Sequence, residues 1–136
     1  MLVKLVEHID LNEVYHYVQS EEAGGVNFFL GTVRNHTKGN KVVKLEFEAY
    51  EPMAVSEMQK LADEANRRWP LYKIAIVHAV GPKMPGEAVV MIAVAAAHRD
   101  ASFEACRFLI DELKKTVPIW KKEYFEDNSV WVNAHP

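Results

Sequence analysis

Three short segments combine cationic side chains with a break in regular backbone, and each could hold a small anion. The first is Gly31-Thr32-Val33-Arg34-Asn35-His36, where the apolar run VNFFLGTVR passes into the polar stretch RNHTKGN. The second is Ala97-His98-Arg99-Asp100, between the apolar run EAVVMIAVAAA and a helix start. A helix start presents unpaired N–H groups and the positive end of the helix dipole, so His98 and Arg99 there could clamp a phosphate. The third is Lys114-Lys115-Thr116-Val117-Pro118-Ile119-Trp120-Lys121-Lys122-Glu123. If the residues after Pro118 alternate as a strand, Ile119 and Lys121 face one way and Trp120 and Lys122 the other. One lysine then sits beside an apolar wall, where neighbouring cations and partial burial lower its pKa and suit it to act as base or nucleophile. Plainer readings stand beside these: a solvated hairpin tip for the first segment, an arginine paired with Asp100 or Glu104 for the second, and a solvated charged face for the third, with Lys114 and Lys115 complementing a helix C-terminus.

Other chemistries find no residues. Cys106 is the single cysteine, so neither an internal disulfide nor a cysteine zinc site can form. It falls on the apolar stripe of a helix, where a thiol behaves as a small hydrophobe and not as a nucleophile. His8, His16, His36, His78, His98 and His135 show no HxxxH or HExxH spacing, and no metal site is expected. There is no GxSxG elbow and no Walker loop. His98-Arg99-Asp100 shares three letters with the protein-kinase catalytic loop, but its partner Asn, the DFG triplet and a Gly-rich loop are missing. What remains is a site for a small anionic ligand, lined by Arg and Lys, with neither metal nor internal thiol.

The bulk numbers agree with a single globular domain over residues 1–136. The net charge is −3, from 16 Lys and Arg against 19 Asp and Glu, which argues against a general nucleic-acid binder. The charge is unevenly laid out, though. Residues 23–45, 65–86 and 113–122 contain no Asp or Glu and carry four Lys or Arg each. The opening MLVKLVEHID has no basic segment leading into a long apolar core, so no secretory signal is expected. The longest apolar run, Ala88 to Ala97, is about half of what a membrane span needs. With a lone cysteine, a cytoplasmic location follows as the expectation.

Elements that would position these residues can be read from periodicity. Residues 2–7 form a short strand, and Asp10 caps a helix over 11–19. Strands follow over 26–34 and, with period two, from Val43 to Tyr50; RNHTKGN between them is a loop. A helix runs from about Pro52 to Trp69 with Val55, Met58, Leu61, Ala62 and Ala65 as its apolar stripe, and Pro70 ends it. Strands over 71–80 and 87–97 flank the connection GPKMPG, and the second, apolar on both faces, is central in its sheet. Asp100 caps a helix over about 101–117, with a stripe of Phe103, Cys106, Ile110, Leu113 and Val117, and two short strands close the chain. Strict βα alternation is lacking, so the class is α+β with a mixed, mostly antiparallel sheet.

Several pieces together resemble a known family. They are GTVRNHTKG, EAYEPMA, NRRWPLYKIAIVHAVG, PGEAVVMIAVAAAHRDASFEACRFLIDELKK, TVPIWKKE and the closing VWVNA, in order from residue 24 to 134. The specific feature is AHR-x4-FEA followed by LKK-x2-P-x-WKKE. The chain resembles the large, catalytic subunit of molybdopterin synthase. The resemblance implies an α/β-hammerhead fold and a homodimer, each protomer binding a small ubiquitin-like sulfur-carrier subunit to make a heterotetramer. It implies sulfur transfer from the carrier's C-terminal thiocarboxylate to cyclic pyranopterin monophosphate, forming the dithiolene of molybdopterin, with no resident cofactor or metal. Carried over residue by residue, the substrate pocket falls on Thr32, Val33 and Arg34 of GTVR, on His98 and Arg99 of AHR, on Lys114 of LKK, and on Lys121, Lys122 and Glu123 of WKKE. Lys114 and Lys121 match the lysines most important for catalysis, and would orient the thiocarboxylate and assist proton transfer. Where the family often has an arginine after the closing strand, this chain has His135. The competing reading is a non-catalytic module that binds RNA or another anion through the basic windows; the lack of RNP and KH signatures speaks against it. A third, a degenerate homologue that only scaffolds the carrier, is disfavoured by the retention of these residues together.

Overall fold

Nine strands and three helices run in the order β1 (Leu2–Val6), α1 (Leu11–Tyr17), β2 (Gly25–Thr32), β3 (His36–Thr37), β4 (Asn40–Ala49), α2 (Glu51–Arg68), β5 (Leu71–Ala79), β6 (Gly81–Lys83), β7 (Ala88–Ala96), α3 (Arg99–Thr116), β8 (Ile119–Phe125) and β9 (Val130–Asn133). They are taken from a computed structural model that describes residues 1–136. The strands form two sheets. One has the order β1-β5-β7-β2, with only β1 and β5 parallel; the other is built on β4, β8 and β9, with β3 and β6 also paired to β4. This is the expected α+β class with a mixed, mostly antiparallel pairing.

β7 lies inside its sheet, as its unbroken apolar run requires. Ile92 and Val94 face a core of 21 buried residues shared by both sheets, α2 and α3, while Met91 and Ala93 face a smaller cluster under Val14 and Val18 of α1. The α1 cap is also as expected: an Asp10 carboxylate oxygen accepts from the N–H groups of Asn12 and Glu13, at 3.0 and 3.3 Å.

Three details differ from the sequence reading. The polar residues 34–40 and the GPKMPG connection contain the short strands β3 and β6, which their composition hides because each exists only by leaning on the long edge of β4. Lys38 and Gly39, at φ of 50° and 83°, make the reversal between β3 and β4. The N-cap of α3 is His98, and its side chain makes no cap bond; Asp100 sits in the first turn, where its charge complements the dipole. The buried stripe of α3 is Ser102, Ala105, Cys106, Leu109 and Leu113, and Phe103 is exposed. Phe103 and Ile110 flank Phe28 and Phe29 of β2, and Ile110 also packs against the main core.

Gly24 and Gly25 fix the start of β2 against the α3 corner. A Cβ on Gly24 would lie 2.3 Å from the Ala97 carbonyl oxygen, and one on Gly25 would lie 3.3 Å from the Arg99 Cα. From that corner, β2 and α3 run alongside each other to a common far end, marked by Thr32 and by Lys114. This far end is where β4 and β8 of the second sheet close over the first.

Candidate functional site

A cavity of about 240 Å³ opens at the far end. Its polar lining is Thr32, Arg34 and Thr37 from the β2–β3 region, His78 from β5, Lys114 from α3, and Lys121 and Glu123 from β8. Phe29, Leu45, Phe47, Val90, Ile110 and Leu113 form much of its apolar wall. The alternation expected after Pro118 places these groups. Lys121 pairs with Phe47 across the sheet and Glu123 with Leu45, so both point inward on the face of buried Ile119.

Charge in the cavity is deliberately unbalanced. No carboxylate lies within ion-pair distance of Arg34, Lys114 or Lys121. Burial pushes the Lys121 ammonium below the ordinary lysine range; Glu123 opposes the shift, while Lys114 and Arg34 add to it. Glu123 itself is buried and held by two donors, the Thr37 hydroxyl at 2.6 Å and the Asn133 amide at 2.9 Å. A carboxylate so fixed orients the cavity floor. Together the three free cations suit an anionic ligand, and the half-buried Lys121 is the one whose ammonium burial disfavours.

Thr32, Arg34, Lys114, Lys121 and Glu123 therefore meet around one space. The other expected site residues do not join them. Val33, the first residue beyond β2, is a core residue, 5% exposed, tied by backbone hydrogen bonds to Gly86 and Glu87 with its side chain in the main core. Lys122 points to the opposite face of β8 and pairs with Glu48, Nζ to Oε1 at 3.2 Å, which holds its pKa above the ordinary value. His98 and Arg99 lie at the other end of α3 from Lys114. Fifteen residues of helix separate Arg99 from Lys114, about 22 Å at 1.5 Å per residue, so a single small ligand cannot be held by both groups of one chain. Arg99 is not tied up in the ion pair that its sequence neighbours offered: Glu104 instead accepts from the Trp69 indole N–H at 2.9 Å.

The middle basic window is structural. Arg67 and Arg68 both pair with Glu64, Arg68 also lies over Phe108, and Lys73 lies over Tyr17. Lys83 is buried and donates to the carbonyls of Val80 and Pro82, both at 3.1 Å. The thiol of Cys106 is buried too, and burial pushes its pKa up to about 11, which removes it as a nucleophile.

His78 was not singled out by the sequence reading. It was one of six scattered histidines, yet its inward parity in IAIVHAV, on the face of Ile74 and Ile76, was a usable signal. The ring is 1% exposed, packs edge-on against Phe47 at 5.2 Å, and has Nδ1 2.7 Å from the Ala79 carbonyl oxygen. Burial lowers its pKa to about 4, with the Ala79 bond opposing and Lys114 adding to the shift. Unfolded, the same imidazole titrates near 6.5. Below that value the unfolded chain takes up a proton that the folded chain refuses. Stability therefore falls as pH drops from about 6.5 to about 4, by about 3 kcal/mol in total, and this contribution levels off below. Thermal unfolding across that range should show the loss in wild type, and His78→Gln should flatten it. An equal slope in the variant would place the acid sensitivity elsewhere.

Comparison with known proteins places this geometry among relatives. Residues 5–116 match the family model described as MoaE protein. A Homo sapiens protein named molybdopterin synthase catalytic subunit is 45% identical over 125 residues, covering 92% of this chain and 66% of its own length. A Pyrococcus abyssi protein of the same name is 40% identical over 133 residues, covering 98% of this chain and 90% of its own. The crystal structure of molybdopterin synthase from Staphylococcus aureus superposes with a TM-score of 0.92 at 38% identity, covering 98% of this chain and 97% of that one.

Proposed function

The chain belongs to the MoaE protein family of molybdopterin synthase catalytic subunits, and from this we propose that it transfers sulfur from the thiocarboxylated C-terminus of a small ubiquitin-like carrier to cyclic pyranopterin monophosphate. The observation that carries the reading is the cavity itself. Arg34, Lys114 and Lys121 face one space with no carboxylate partner, and no thiol lines it. Such a site can hold and activate an anionic sulfur brought by a partner but has no sulfur of its own to give. Lys121 and Lys114 hold the thiocarboxylate and manage protons at the attacked carbons, and Arg34 adds charge at the mouth. Glu123 keeps Thr37 and the β9 residue Asn133 in place around them.

The position of His98 and Arg99 supports a homodimer. Their corner lies about 22 Å from Lys114 within one chain, and the cavity, at about 240 Å³, is small beside the usual ~300–1,000 Å³ of ligand sites. β2 is an edge strand of its sheet, and Val26, Phe28, Phe29 and Leu30 on it are exposed. An uncovered apolar edge of this kind calls for a partner. A second protomer seated along it brings its own His98–Arg99 corner toward the cavity, where the pair would bind the substrate phosphate. With one carrier per protomer the assembly is a heterotetramer.

The test is reconstitution. Purified chain, carrier bearing the thiocarboxylate and cyclic pyranopterin monophosphate should give the dithiolene product, read as its fluorescent oxidation derivative. Carrier lacking the thiocarboxylate should give none. Absence of product with a folded chain and a charged carrier overturns the reading.

A further inference from the structure

The cavity holds one group for which sulfur transfer by the lysines leaves no task, the imidazole of His78. A backbone carbonyl can only accept, so the contact between Nδ1 and the Ala79 oxygen at 2.7 Å places the ring's single proton on Nδ1. Nε2 is then a bare lone pair. That atom has no protein partner, while every fully enclosed side-chain nitrogen or oxygen in the molecule has one. Nε2 therefore remains open to the cavity whose wall His78 forms. The backbone leaves no choice in this. His78 shares the inward face of Ile76, β1 and β7 flank its strand at Leu5 and Val90, and Phe47 of β4 seals one side of the ring.

The charged side chains that share the cavity lining with His78 are all donors but one. Lys114 comes from α3, Arg34 from the segment after β2, and Lys121 from β8; as cations none of the three can accept a hydrogen bond. Glu123, also from β8, is already engaged by Thr37 and Asn133. A ligand that puts its anionic group on the cations must still find an acceptor for any N–H it carries, and an N–H left unpaired in an enclosed site costs binding. A reduced pterin carries several ring N–H groups. Resting on the sulfur-transfer reading above, we propose that His78 is a substrate-binding residue, its unprotonated Nε2 accepting a hydrogen bond from a ring N–H of the pyranopterin and so turning the ring to present its sulfur-accepting carbons to Lys114 and Lys121. The ring stays neutral throughout the ordinary working range, since burial and Lys114 both disfavour its cation; it aligns the substrate and exchanges no proton with it.

Two substitutions separate the two nitrogens. In His78→Asn the amide reaches the place of Nδ1 and can keep the bond to Ala79, but nothing replaces Nε2. In His78→Gln the longer side chain puts an amide oxygen near the place of Nε2. The expected result in the reconstituted synthase is a 10- to 100-fold fall in kcat/KM for the Asn variant, the range for a buried donor left unpaired, with most of it in KM for the pyranopterin. The Gln variant should stay within about tenfold of wild type. KM for the carrier should not change in either, and the pH profile of kcat/KM should keep its shape. A second readout needs no turnover: the ¹⁵N resonance of His78 Nε2 should move upfield when pyranopterin is added to the wild-type complex, as an acceptor nitrogen does on gaining a donor. Unchanged kcat/KM in a folded Asn variant, a Gln variant as impaired as Asn, a lost limb in the pH profile, or a static Nε2 resonance with substrate bound each overturns this assignment while leaving sulfur transfer standing. If wild type neither binds nor turns over pyranopterin, the sulfur-transfer reading fails and the assignment falls with it.

Discussion

Lys121→Ala should slow dithiolene formation by about 10²–10³-fold, the usual cost of removing one preorganised charge from a reacting centre, and the variant should melt no lower than wild type by more than a degree or two. The second half of this expectation comes from the cavity's electrostatics. Burial, Lys114 and Arg34 together outweigh Glu123 and hold the ammonium below its ordinary pKa, so the folded protein gains nothing from this charge. Taking it away removes a charge that burial penalises. Lost activity with retained stability is the signature of a functional residue. Lys121→Arg separates its two tasks. Guanidinium keeps the charge but does not give up a proton at neutral pH, so a clamp would survive the change in part and a proton-transfer group would not. The pH profile gives the same answer independently. A base gains activity as pH rises through its depressed pKa, whereas a cationic clamp loses it. Wild-type rates from Lys121→Ala would take this lysine out of the mechanism.

The other large effect is expected from mixing two dead proteins. A His98→Ala, Arg99→Ala double variant and Lys121→Ala should each be nearly inactive as homodimers. Co-expressed with different tags and purified as the mixed dimer, they should recover about half of wild-type specific activity, because a two-fold assembly of this composition has one intact site of two. The reason is the ~22 Å of helix between Arg99 and Lys114. If corner and cavity serve one ligand, they must come from different chains, and the mixed dimer then contains one cavity with an intact lysine facing an intact corner. Mixed dimers no better than their parents would show that the corner does not complete the partner's cavity, and the phosphate would have to be held by Arg34 and its neighbours alone.

The charge layout illustrates how far a one-dimensional reading reaches. Two of the three acid-free windows supply cavity cations, Arg34 from the first and Lys114 and Lys121 from the third. The middle window is spent on Glu64, on aromatic faces and on backbone carbonyls. Pairing with Glu64 follows from i,i+3 and i,i+4 spacing on a helix, whereas the stacking of Lys73 on Tyr17 and the burial of Lys83 depend on contacts across the fold. Val33 and Lys122 fall outside the cavity for a reason the sequence does carry. Motif continuity placed them beside Arg34 and Lys121, but adjacent strand residues face opposite ways.

By itself the sequence determined the α+β class, the central place of β7, the split of Lys121 from Lys122 across β8, and the absence of a reactive thiol. Each follows from local rules: periodicity, the reach of a cap, or the burial of a lone cysteine on a helix stripe. Only the tertiary structure decided that β3 and β6 exist, that α3 turns Phe103 outward, that His78 lines the cavity, and that Thr32, Arg34, Lys114, Lys121 and Glu123 meet around it. Those outcomes depend on contacts between residues distant in the chain, where small side chains set how closely two elements approach. Sequence proximity carries no such information: Arg34, Lys114 and Lys121 come from different elements and share one cavity.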